Sequence, residues 1–533
     1  MPGPMEYAKA PHPLLPRFIT LALILGAVAL IVTLIPHPPP GPPLYRFYPD
    51  SANFYLQFKP GEQLSERFLV FLDSKARRIK TRDPFGEGLL EKFGTTFEPQ
   101  FSFGIWPDQK DITSSQILLA FPLKQPMTLN DLIARFHWQL DDFTRTRVLN
   151  TDVLTDKTSG STLAVADNDF LVASTEDALT TALTTRFQQT PNVYDNTLNK
   201  KYLSKLPWRR DGTLIINNAA YLQQALQSGD QLPKPVIEKM RKFAGVLPVT
   251  LAAVSVEDNR YLHIKTVTPL MLQGFDSSNF GPDFRKDLRQ TYTQTIGFKT
   301  PGAMPADTTL IIAWAGFDKF YDLYTQYLAN PDEKMLAHLY GSILGSKNLD
   351  LRKDVVGLSE GEAAVALRQN SPYPILLLSR TPEKENTLHR LTDLLASSPI
   401  PVEQSTEQFG DISAQTLSVP RKNIRVSYGG VGSVIGAGLS TQFADLVKVN
   451  EGQMQRLPSN STYNRLMQGM PWYANGMFYA NLHDAALSNA PKPEIFQRLA
   501  RWVDAASGMI WAKKDSDDAD LVYGQFTLML SKP

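Results

Sequence analysis

The residues able to do chemistry are few, and their spacing does not suit it. Gly429-Gly430-Val431-Gly432-Ser433-Val434-Ile435-Gly436 follows an apolar run, as a dinucleotide-binding loop would. But Gly430, Gly432 and Gly436 make G-x-G-x-x-x-G, Ile435 stands where the third glycine belongs, and the segment beyond reads as strand rather than helix. Glycines giving a hairpin turn its positive φ are the favoured reading. The seven histidines, His12, His37, His137, His263, His338, His389 and His483, include no i, i+4 pair of the zinc-protease kind. Asp515, Asp517, Asp518 and Asp520 lack the glycine and terminal glutamate of a helix-loop-helix calcium site, and read as a solvated hairpin tip. No serine carries G-x-S-x-G flanks, and there is no cysteine for a thiolate, a metal or a disulfide. The sequence therefore names no catalytic, cofactor-binding or metal-binding residue.

One charged cluster stands out. Lys75, Arg77, Arg78, Lys80 and Arg82 put five cations into eight positions at the end of an expected helix. A solvated helix C-terminus favoured by the helix dipole explains them. The sharper reading is a patch that touches anionic lipid. Over the whole chain, 54 Lys and Arg balance 53 Asp and Glu, so no global field draws nucleic acid, and none is expected as a partner.

The elements that must position these residues begin with an anchor. Phe18 to Ile35 runs 18 residues without a charge, which as helix spans about 27 Å and crosses a hydrocarbon core. Lys9 and Arg17 precede it and no charge follows until Arg46, so residues 1–17 are expected in the cytoplasm. A cleaved signal peptide, with Ala27-Val28-Ala29 as its processing site, is the rival. The Pro-rich spacer, 36–46, contains Pro36-His37-Pro38-Pro39-Pro40-Gly41-Pro42-Pro43, about 25 Å of polyproline II. The bulk of the chain is expected on the periplasmic or lumenal side of a membrane it crosses once.

The exported body repeats itself. Leu206-Pro207-Trp208 and Gly212-Thr213-Leu214-Ile215-Ile216-Asn217 match Met470-Pro471-Trp472 and Gly476-Met477-Phe478-Tyr479-Ala480-Asn481 at a constant offset of 264. Each copy opens on a Pro-containing turn and a strand, Asn53 to Phe58 and Thr309 to Trp314, and then a helical stretch. That stretch has Leu64, Phe68, Phe71 and Leu72 at helix-face spacing in one copy and Phe317, Phe320, Tyr321 and Tyr324 in the other. Two strands and a capped helix follow, the caps being Thr128 with Asp131 and Thr381-Pro382-Glu383. Next come a hairpin, a helix, the Pro-Trp motif and a closing strand pair. This pattern predicts an α+β fold: two tandem similar modules of mainly antiparallel sheet with helices, 47–272 and 302–533, joined by a linker, 273–301, and preceded by one transmembrane helix, 18–35.

The single span, the Pro-containing strand opener, the hairpin, the helix and the Pro-Trp strand, all but the span used twice, resemble a family of membrane-anchored bacterial proteins. It is catalogued as a domain of unknown function (DUF 3352 type) and comes largely from oxygenic photosynthetic bacteria. The resemblance implies membrane anchorage and a duplicated body, and carries over no catalytic residues or cofactor. The reading is thus an envelope protein, non-enzymatic, held in the lipid bilayer by its N-terminal helix, and serving binding or assembly with an envelope or membrane protein partner. An exported enzyme with its site in the cleft between the modules is the alternative; a lipid or pigment carrier would need an apolar cavity inside one module.

Overall fold

A computed structural model describes residues 44–59, 89–108, 114–138, 140–207, 210–218, 246–258, 260–271, 283–329, 331–369, 371–397, 401–471, 473–487, 503–514 and 519–531. Within them, runs rich in Val, Ile, Leu and aromatic residues alternate between two faces and form twenty strands. The first ten are β1 (Phe54–Phe58), β2 (Phe101–Pro107), β3 (Ser115–Pro122), β4 (Phe143–Val148), β5 (Thr151–Asp156), β6 (Thr162–Ala166), β7 (Asp169–Ala173), β8 (Gly212–Ile216), β9 (Thr250–Glu257) and β10 (Tyr261–Met271). The next ten are β11 (Thr308–Ala315), β12 (Glu362–Arg368), β13 (Ser371–Ser379), β14 (Glu403–Phe409), β15 (Ile412–Val419), β16 (Ile424–Val431), β17 (Val434–Leu439), β18 (Gly476–Asn481), β19 (Val503–Lys514) and β20 (Ala519–Leu530).

Every pairing is antiparallel. The order across the first half is β4-β5-β6-β7-β3-β2-β1-β8-β9-β10. Across the second it is β14-β15-β16-β17-β13-β12-β11-β18-β19-β20, the same order with each strand number raised by ten. The two series meet where β10 pairs with β20, from Tyr261↔Met529 to Met271↔Ala519, so the α+β chain carries one continuous sheet. Because the corresponding strands meet antiparallel, the corresponding helices cover the same face.

Individual bonds repeat as well. Val193 N–H donates to Tyr48 O at 2.9 Å and Leu457 N–H to Met304 O at 2.7 Å. The Asp211 carboxylate accepts from Val256 N at 2.8 Å, and the Asn475 side chain accepts from Ala512 N at 3.0 Å. Asn196 and Asn460, 264 positions apart, each cap a short helix by accepting from backbone N–H groups, Thr197–Leu203 and Ser461–Met467.

Three apolar clusters organise the sheet. The face covered by helices Glu176–Phe187 and Ser440–Asn450 holds two cores, one per half, each with a large buried ring or rings: Tyr48, Tyr55 and Trp106 in one, Phe443 and Tyr479 in the other. They exchange residues across the seam, since Leu521 packs in the first core and Tyr261 against the second. The opposite face holds a cluster running through the seam, with Leu56, Phe58, Val254 and Leu262 beside Ala506 and Leu530, and smaller clusters farther out. Gly508 belongs there because a Cβ would overlap the rings of Phe478 and Phe526.

The residues read as linker are structured from 283 onward. Helix Phe284–Thr293 is fastened to β20: Arg289 donates to the fully buried Asp520 from Nε at 2.6 Å and from Nη2 at 3.0 Å, and Tyr292 donates its hydroxyl to the same carboxylate. Asp520 is thus the inside of an ion pair and not part of a solvated tip; Asp515, Asp517 and Asp518 lie outside the described residues. Glu362 fixes the next helix, Lys299–Ala303, by accepting from the backbone N–H groups of Gly297, Lys299 and Thr300 and from the Thr300 hydroxyl.

Candidate interaction surface

β11 carries an exposed apolar surface of the sheet. Ile312 stands opposite Val365 of β12 and Phe478 of β18, and Val365 stands opposite Leu376 of β13. The first half has the same constellation: Leu56 lies between Phe103 and Leu214, and Phe58 faces Gly212 as Trp314 faces Gly476. The environments differ. Leu56 is 1% exposed and its equivalent Ile312 is 46% exposed, with Leu376 beside it open to solvent. A topologically repeated position that is covered in one half and open in the other marks a surface by divergence rather than by fold.

Aromatic rings extend the surface from β11 into helix Phe317–Leu323. The Trp314 and Phe317 ring centres are 5.9 Å apart, Phe317 and Phe320 6.3 Å, and Phe320 and Tyr324 6.3 Å. The indole N–H of Trp314 has no acceptor although it is buried. The spacing of Phe317, Phe320, Tyr321 and Tyr324 predicts an inward apolar face, and Phe317 and Phe320 instead face solvent. Electrostatics decides the orientation: Asp318 is buried and receives Arg352 Nη2 at 3.3 Å and Lys319 at 3.2 Å, while Arg352 also donates to Asp322 at 2.6 Å. Burying that carboxylate beside its cations, with Leu323 against Phe284, turns the phenylalanines outward.

The glycine-rich run is the β16–β17 hairpin, closed by Gly432 and Ser433. Gly432 alone of its glycines has a positive φ, 57°, where the first half uses Asp167 and Asn168 with both φ positive. Gly430 serves contact instead, since a Cβ there would sit 2.5 Å from the Arg380 guanidinium carbon. That hairpin lines an open cleft of about 620 Å³ with Arg380, Glu385, His389, Asp411 and Tyr428. Arg380 holds Glu385 at 2.8 Å, and Tyr428 donates its hydroxyl to Leu388 O at 3.3 Å while accepting from Thr392 at 2.6 Å. Burial pushes the Tyr428 phenol up.

Two further arrangements resemble catalytic ones. Lys384 donates to Ser379 Oγ at 3.1 Å, and burial pulls its ammonium down. Yet the same ammonium donates to Glu360 O, which uses it as a structural cation, and no described cleft opens onto the pair. Asp169, at the end of the β6–β7 turn, is driven by burial from 3.8 to about 6 despite Arg46 at 3.2 Å. It faces Arg46 and, through Asp167, Arg186, and so locks the turn to the chain entering β1.

The sequence-named residues divide between these places and segments outside the described residues. Lys75, Arg77, Arg78, Lys80 and Arg82 lie outside, as do Phe18 to Ile35, the spacer as far as Pro43, Leu64 to Leu72, Trp208 and Trp472. No helix among the described residues is long and apolar enough to cross a membrane. His137 ends a helix in the left-handed conformation, His263 joins Glu257 at 2.9 Å and Thr527 at 3.1 Å, and no group of metal-binding side chains gathers among the described residues. The β10–β20 ladder joins the two halves of the sheet edge to edge. The open surface around Ile312 was missed by sequence reasoning; the unequal hydropathy of Leu56-Gln57-Phe58 and Ile312-Ala313-Trp314 gives no sign of it.

A family model described as protein of unknown function (DUF3352) matches residues 98–517. Among curated proteins and among solved structures there is no match.

Proposed function

The chain belongs to the DUF3352 family, and from that premise we propose that it is a membrane-anchored envelope protein built from two copies of one ten-strand unit, whose second copy binds a protein partner. The observation that carries the reading is the contrast between equivalent positions: Leu56 is closed and Ile312 is open, and past the half-buried Trp314 the exposed surface continues to Phe317 and Phe320. A contiguous apolar surface of this kind on a folded protein is the usual signature of an interaction site. The ion pairs of Asp318 and Asp322 with Arg352 support this orientation of the helix, with its rings outward. The charge-free segment Phe18 to Ile35 supports attachment to a bilayer, and the bias of Lys9 and Arg17 supports an exported body.

Photo-crosslinking in native membranes tests this. A photoreactive residue at Ile312 or Phe320 should give one protein adduct, while one at Leu140, exposed in the first half, should not. Adducts absent from all three sites, or shared equally by them, would overturn the reading.

A further inference from the structure

Helix Pro331–Gly345 has fifteen residues and none of them is buried. Met335, Leu336, Leu339, Tyr340 and Ile343 are all at least 47% exposed, and at 100° per residue they fall within an arc of about 140°. The rim beyond Met335 carries Ser342 and His338, and Lys334 lies opposite the arc. Glu333, Leu344 and Ala337, which are half-buried, lie within about 60° beyond Tyr340, and the helix packs on Leu351–Val355. A helix that keeps Ala337 and Leu344 toward the protein and a wider apolar arc in water is unstable against anything that covers the arc.

We infer that this helix lies in the interfacial layer of a lipid bilayer, with Met335, Leu336, Leu339, Tyr340 and Ile343 seated among the acyl chains. Two observations select lipid. The chain before the described body is short: Leu44 is already fully buried in the first core, and only Pro36 to Pro43 separate it from the apolar segment ending at Ile35. If that segment spans, eight residues reach at most about 29 Å even when fully extended, so the body stays at the membrane surface. The helix also occupies the β11–β12 connection, and the equivalent β1–β2 connection carries in its sequence Lys75, Arg77, Arg78, Lys80 and Arg82. Those cations are outside the described residues and form no part of the contact. The same connection in both copies nonetheless carries membrane-seeking chemistry, apolar in one and cationic in the other. Tyr340, an apolar ring with a polar tip, suits the headgroup level.

The inference rests on the membrane-anchored reading, and the experiment separates the two. The sequence has no cysteine, so single cysteines at Leu339, Ile343 or His338 can each carry an environment-sensitive dye in the full chain. The protein is placed in phosphatidylcholine–phosphatidylglycerol vesicles with or without brominated acyl chains. Dyes at 339 and 343 should lose most of their emission to lipid bromine, while the dye at 338 keeps it. Adding Leu336→Glu should abolish the loss at 343 without releasing the protein from vesicles under alkaline carbonate. Protein retained in carbonate with aqueous dyes at 339 and 343 would overturn the inference and leave the anchor standing. Dyes that are dry but untouched by lipid bromine would overturn it in favour of a second protein surface. Release of the unmodified chain by carbonate would overturn the anchor itself.

Discussion

Asp520 shows how much one buried carboxylate holds together. It lies on β20 at the seam, and two donors of Arg289 and the Tyr292 hydroxyl bring the linker helix down onto the sheet. Asn475 completes the latch by donating to Tyr292 O at 2.6 Å. Asp520→Ala should therefore cost about 3 kcal/mol in denaturant unfolding, since it strands a cation and a phenol, and Asp520→Asn should cost less because one acceptor survives. Asp169 makes the opposite case. Its carboxyl is raised by burial, so between its ordinary value of 3.8 and about 6 the folded state holds a proton that the unfolded state has released. Stability contributed by this group therefore falls as pH rises through that window, by roughly 3 kcal/mol for a shift of about two units. Unfolding midpoints measured across the window should show this slope in the wild type, and Asp169→Asn should remove it; parallel pH profiles for the two proteins would refute the assignment.

At the scale of elements, the helix Phe317–Leu323 is set by its charges. With Asp318 and Asp322 facing Arg352, replacing Phe317 and Phe320 by serine removes exposed apolar surface and no core contact. The double variant should unfold within about 0.5 kcal/mol of the wild type, as surface substitutions do, while losing partner adducts at Ile312. A large loss of stability would mean the rings pack after all. The apolar strands around β1, β2, β3, β8 and their second-half equivalents were legible because alternation and β-branched runs announce a half-buried pleat. The edges were not. β14, Glu403-Gln404-Ser405-Thr406-Glu407-Gln408-Phe409, and β4, with Arg145 and Arg147, are largely polar on both faces and show no strand signal. Charge on an outer strand is what keeps a sheet from adding another, so the sequence cue for a core strand is missing where the sheet must end. The helix Phe284–Thr293 was lost for a related reason: its stability comes from Asp520, more than two hundred positions away, and not from its own periodicity. The site was legible only in part, because exposure at Ile312 is a property of what fails to cover it.

Across the whole molecule, the strand order and several hydrogen bonds of the first half recur in the second, and the two halves meet through β10 and β20. The cores trade Leu521 and Tyr261 across the seam, and Arg465 of the second half reaches Glu257 and Asp258 of the first at 2.8 and 2.9 Å. Within that near-symmetric frame, function is read from what breaks the symmetry: an apolar face and an apolar helix left open in the second half alone among the described residues. Hydrogen–deuterium exchange of the full chain in native membranes and in detergent addresses this directly. Peptides covering 316–328 and 331–345 should exchange more slowly in the membrane, while those covering helix Glu176–Phe187, already sealed against the first core, should not change. Equal exchange of all three regions in both media would contradict the account.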